Sequence, residues 1–173
     1  LEQMRRKRPM DPSYLSIREF LSNNSMNIEG KISPLEMADS IDSFCSNALL
    51  EMENIDYSEN NDLRYEVTDI KAWANLGMYF SHKLRAATEY QQFLNSKDNE
   101  HYLKSVQWLK KATDYWHNLV EVTQTVYEPV PLQHYENRDN NYFHWAEIET
   151  EVLEELRWLQ SMEESLLQTV NAK

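Results

Sequence analysis

Tyr127, His134, Tyr135, Tyr142 and Trp145 are the residues of this chain best suited to hold a ligand. All five lie in one stretch, YEPVPLQHYENRDNNYFHW from Tyr127 to Trp145, which interrupts the amphipathic periodicity found almost everywhere else. Aromatic rings offer an apolar face and a polar edge, and His134, His144 and Arg138 add hydrogen-bonding groups, so the stretch could form a platform for a sugar or a peptide. A structural reading stands beside this one. Pro129, Pro131 and Leu132 would lay an extended segment over the end of the helical body, while Phe143 and Trp145 staple the next helix.

The other chemistry-bearing residues do not complete a catalytic set. Asp114-x-x-His117 and Asp98-x-x-His101 approach the carboxylate–histidine spacing of metal-binding bundles, but the partner helices offer no matching glutamates on their apolar stripes. Glu147, Glu149, Glu151, Glu154 and Glu155 crowd one solvated helix face, whereas glycoside hydrolysis needs two carboxylates facing each other across a cleft. Cys45 lies among apolar helix positions, where a thiol is deactivated, and no serine sits on a glycine-flanked elbow. The two glycines, Gly30 and Gly77, are too few and too far apart for a phosphate-cradling loop. No catalytic residue, metal site or cofactor is expected.

Charge narrows the partners. Arg5, Arg6, Lys7 and Arg8 against Glu2 give the first ten residues +3, so the remainder bears −15 of a total of −12. A body this acidic repels phosphate backbones, which argues against nucleic acid. Residues 1–10 read as a basic linker or tail and residues 11–173 as a single domain, large enough for its own core. The basic run lacks the apolar stretch of a signal peptide, and no apolar run reaches the roughly 18 residues of a membrane span. A mean hydropathy of −0.74 reflects charged helix faces, because aromatic residues still make up 12% of the chain.

These residues must be positioned by helices. Asp11-Pro12 reads as the cap of a short N-terminal helix bearing Tyr14, Ile17, Phe20 and Leu21. Ser33-Pro34-Leu35-Glu36 combines an N-cap serine, a first-turn proline and a reciprocal glutamate. The helix it opens should bury Ala38, Ile41, Phe44, Cys45, Ala48, Leu49, Met52 and Ile55 and end near Asp56. A long helix follows with the stripe Leu63, Val67, Ile70, Ala74, Gly77, Phe80, Leu84, Ala87 and Leu94. Gly77 in its middle implies close approach of a neighbouring helix. A tight connection over 96–99 then makes the next helix antiparallel. That helix, about 100–126, has an apolar arc centred on Trp116 and wide enough for two neighbours, and a last helix runs from Trp145 through Val170. The fold expected is all-α: an antiparallel bundle of four long helices plus one short N-terminal helix. Fixed spacings of about 34 residues do not recur, which favours a closed bundle over a solenoid.

Four segments together carry a resemblance: KISPLEMADSID, NLGMYFSHKLRAATEY, YWHNLVEVTQTVYEPVPL and FHWAEIETEV followed by a long acidic helix. They resemble the helical accessory domain near the carboxyl end of large secreted bacterial glycoside hydrolases and related proteins, over most of residues 14–160. The resemblance implies a non-catalytic monomeric domain with a structural or weak glycan-contacting role, beside a catalytic domain of the same polypeptide. It also implies a secreted, periplasmic or cell-surface location, and a chain starting abruptly at Leu1 fits an excised piece. The alternative is a protein-interaction module using an acidic helix face or the loop 127–145.

Overall fold

The computed structural model describes residues 1–22, 30–131 and 142–171, with side chains described as far as residue 162. It is mostly helical, at 75%. Six helices follow in chain order: α1 (Glu2–Arg6), α2 (Ile17–Leu21), α3 (Pro34–Glu53), α4 (Asn61–Ser96), α5 (Asn99–Thr123) and α6 (Trp145–Asn171). A two-residue antiparallel ribbon, β1 (Val130–Pro131) with β2 (Tyr142–Phe143), joins the two ends of the loop.

The local signals explain where the helices begin. Ser33 caps α3 as expected: Glu36 N donates to Ser33 Oγ at 3.2 Å, and Ser33 N donates to Glu36 Oε2 at 2.8 Å. The short helix starts later than the Asp11-Pro12 cap implied. Its cap is Ser16, in a second reciprocal box with Glu19, while Asp11 accepts from the backbone and hydroxyl of Ser13 in a local turn. Asn60 caps α4 through Leu63 N at 3.0 Å. Lys97 adopts a left-handed conformation at the end of α4, and Asp98 caps α5 through Glu100 N at 2.9 Å, so two residues reverse the chain.

Residues 1–10 include α1. Leu1 and Arg5 are buried, α1 packs on α4, and Arg5 donates to Gln91 Oε1 at 3.1 Å. The basic run is thus partly consumed within the molecule, because Glu2 pairs with both Arg5 and Arg6.

The long helices pack in sequence order, α3 on α4, α4 on α5, α5 on α6. Each neighbour runs antiparallel. Along α4 and α5, Phe93 meets Tyr102, Ser105 donates to the Ala86 carbonyl, and Tyr79 meets Trp116. Along α5 and α6, Tyr102 donates to the Leu159 carbonyl at 2.7 Å and His117 meets Glu149. α4 therefore has two long neighbours, and so has α5, as the wide apolar arc of α5 implied. Its Tyr102, Leu109 and Leu119 are fully buried with Leu159 of α6, each contributing roughly 1.5–3 kcal/mol by burial of an apolar side chain.

α3 buries less than its periodicity implied. Of its expected core set only Ala38 is fully buried, and Phe44 is 76% exposed. An edge helix packing extensively on one partner buries one narrow stripe, and Phe44 lies outside it. On α4, Ile70 and Phe80 are likewise partly exposed, and polar residues take inward positions instead: Asn75, Ser81, His82, Thr88 and Gln91 are buried.

Candidate functional site

The sequence-predicted loop residues separate into different environments. Trp145 opens α6 and packs edge-to-face on Trp116, centroids 5.9 Å apart, and on Phe143 at 5.0 Å. Its ring belongs to an aromatic cluster that continues through Trp116 to Tyr79 at 4.8 Å. Tyr127 donates its hydroxyl to Asp69 of α4. Burial, then the Asp69 bond and charge, push its phenol up to about 12. Tyr142 is half-exposed on β2 opposite Pro131, with exposed Val130 on the neighbouring strand. His134 and Tyr135 lie outside the described residues, as do Leu132 and Arg138. His144 closes the start of α6, accepting from Ala146 N on Nδ1 at 3.1 Å while its carbonyl accepts from Glu147 N. That bond leaves the ring proton on Nε2, which is buried without a partner among the described residues.

A second constellation, not found by sequence reasoning, lies at the seam of α3, α4 and α5. Asp42 of α3 accepts from the Ser81 hydroxyl and from Arg85 Nη2 at 2.5 Å, and Asp39 accepts from Arg85 at 2.8 Å. His82 turns inward beside them. Its Nδ1 is 2.9 Å from the Met78 carbonyl and 3.6 Å from Asp42. A carbonyl can only accept, so Nδ1 carries the proton and Nε2 keeps its lone pair. Burial pushes the imidazole below its ordinary value, with the Met78 carbonyl and Asp42 opposing, so the ring is neutral at neutral pH.

The rings of α5 complete this seam. His82 packs on Trp108 at 5.4 Å and on Tyr115 at 5.0 Å. Trp108 also carries the Arg85 guanidinium at 5.2 Å and the Lys111 ammonium at 4.5 Å. A cavity of about 400 Å³ opens here, lined by His82, Lys111, Asp114, Tyr115 and Asn118. Ser81 donates to Asp42 rather than to His82, so the three do not form a nucleophilic relay. The only sequence signal for this cluster was the placement of Ser81, His82 and Arg85 at interior positions of a helix otherwise read from its apolar stripe.

Elsewhere, ionisable groups pair across helices. Lys83 of α4 meets Glu155 of α6 at 2.6 Å and Tyr79 at 2.7 Å. Burial pulls Lys83 down, but Tyr79 and Glu155 outweigh it and hold it above its ordinary value. His101 pairs with Glu89 at 2.6 Å and His117 with Glu149 at 2.8 Å, so neither uses the aspartate three residues before it. Among the described residues no group of three His, Cys, Asp or Glu could hold a metal ion, and no helix is long and apolar enough to cross a membrane. Compared with known proteins, the chain matches no family model, no curated sequence and no solved structure.

Proposed function

We propose that this chain is a non-catalytic helical accessory domain of a carbohydrate-active protein, and that its α3–α4 face seats a neighbouring domain of the same polypeptide. The observation that carries this reading is the exposure of Phe44 at 76% and Trp73 at 69%. Phe44 adjoins Cys45, which faces Gly77, and Trp73 lies one turn before Gly77, so the two rings flank the α3–α4 contact. Large exposed apolar groups on two adjoining helices mark an interaction surface. In this reading the four long helices form a bundle left uncovered along α3, where the neighbour completes it.

The carbohydrate context draws on the resemblance, and half-exposed Tyr142 on its ribbon supports a glycan contact at the loop. Hydrogen exchange on the longer polypeptide tests the docking reading. Amides over 41–48 and 70–80 should be protected relative to the 173-residue chain alone, and a Phe44→Ser, Trp73→Ser variant should lose that protection with an unchanged thermal midpoint. Equal exchange in both contexts rejects it.

A further inference from the structure

We infer that the cavity between α4 and α5 is a binding site for one pyranose ring of a neutral glycan. The site's chemistry does not depend on the docking face, and its class of ligand follows from the groups that line it. Lys111, Asp114, Tyr115 and Asn118 fall at spacings of three and four on one face of α5, and His82 closes the cavity from α4.

His82 is the informative residue. Its side chain is 8% exposed, its Nδ1–H is committed to the Met78 carbonyl, and its Nε2 is a neutral acceptor with no partner among the described residues. Nε2 is not among the buried unpartnered atoms of the described residues, so it is open to solvent, and His82 is one of the residues that line the cavity. With Nδ1–H committed, that lone pair accepts from water or from a ligand hydroxyl that takes the water's place.

The remaining groups select the donor. The Asp114 carboxylate accepts, the Lys111 ammonium donates, and the Asn118 amide does both. The Tyr115 ring supplies an apolar wall. A sugar ring presents hydroxyls that donate and accept around its rim and C–H groups on its face, which is the complement of this set. A phosphate or carboxylate would meet Asp114 with only Lys111 in compensation, because Arg85 is held by Asp39 and Asp42. An apolar ligand would leave His82, Asp114 and Asn118 unpaired. At about 400 Å³ the cavity sits near the lower end of small-molecule sites, matching one sugar unit rather than an extended chain.

The experiment is a nuclear magnetic resonance titration of the whole chain, labelled at histidine and tyrosine, with a panel of methyl hexopyranosides and methyl pentopyranosides. Up to about 20 mM, enough to saturate a site of ~1 mM Kd, at least one glycoside should shift His82 Nε2 and the Tyr115 ring together. Asp114→Ala, Asn118→Ala, both at exposed positions, should weaken that binding about tenfold or more with the thermal midpoint unchanged. Tyr142→Ala should leave it intact. The inference is overturned if no glycoside shifts His82, or if the shifts survive the double substitution. It is equally overturned if they are confined to Tyr142, or if cyclohexanol, which lacks the hydroxyl array, reproduces them.

Discussion

Gly77 of α4 lies directly against Cys45 of α3: a β-carbon on the glycine would overlap the cysteine sulfur and come within 3.4 Å of an Ile41 methyl. Two effects compete in Gly77→Ala. Mid-helix alanine gains about 1 kcal/mol over glycine in propensity, while forcing a methyl into a filled seam costs roughly 1–3 kcal/mol. We expect a net loss of about 1 kcal/mol in urea unfolding. In a Cys45→Ala background the overlap disappears, and the same substitution should become neutral or stabilising. A double-mutant cycle showing no coupling would mean the two helices do not meet there.

Trp116 is 5% exposed and is the ring on which both Tyr79 and Trp145 pack. Trp116→Ala should cost about 3–5 kcal/mol by opening a cavity at the α4–α5–α6 junction. An unchanged urea midpoint would contradict the placement of this ring.

The Tyr127–Asp69 bond ties the segment after α5 to the first third of α4. Because the folded-state value of Tyr127 is raised from 10.0 to about 12, its contribution is complete below pH 10 and disappears as pH climbs from there to about 12. Phenolate absorbance should reveal a late-titrating tyrosine that is missing in Tyr127→Phe. Asp69→Asn should bring its titration earlier.

His82 imposes the opposite slope at lower pH. Its folded value lies below 6.5, so its neutral form contributes stability above that pH, and the contribution falls as protonation sets in. Asp42 favours the charged ring, while Arg85 and Lys111 oppose it, and Tyr115 packs against it. His117, held above its ordinary value chiefly by its bond to Glu149, titrates with reversed sign, so the measurement belongs in a His117→Asn background. There, urea stability should decline from pH 6.5 to about 5, above the carboxylate range, and His82→Asn should flatten that decline.

The helices were legible because their signals are local. The Ser33–Glu36 box and Gly77 each announced a start or a close approach that the structure contains. Ser16-Ile17-Arg18-Glu19 carries the same box, and reading it would have placed α2 correctly in preference to Asp11-Pro12. Phe44 was legible only as apolar, since periodicity gives a helix its stripe but not the number of neighbours that will cover it. The Asp42–Ser81–His82–Arg85 cluster was legible only as polar residues at interior positions of a helix, and its pairing was not. Its members come from two helices, their pairing is a matter of register, and no spacing within either helix encodes it. Of the loop residues, Trp145 was legible as a packing residue because it opens the apolar stripe of the last helix, and it does pack on Trp116, while Tyr142 stands half-exposed.

The two-residue reversal at Lys97 and Asp98 has a kinetic meaning. Closing so short a connection costs little chain entropy, and contacts such as Phe93 with Tyr102 and Ala86 with Ser105 then form in order outward from the turn. α4 and α5 can zip together by contacts that are near neighbours in the chain, the condition under which folding is fast. α6 must instead bring Leu159 back to Tyr102 across 57 residues. The hairpin of α4 and α5 is thus the natural folding nucleus, and substitutions at the Phe93–Tyr102 contact should slow folding, whereas those on α6 should chiefly speed unfolding.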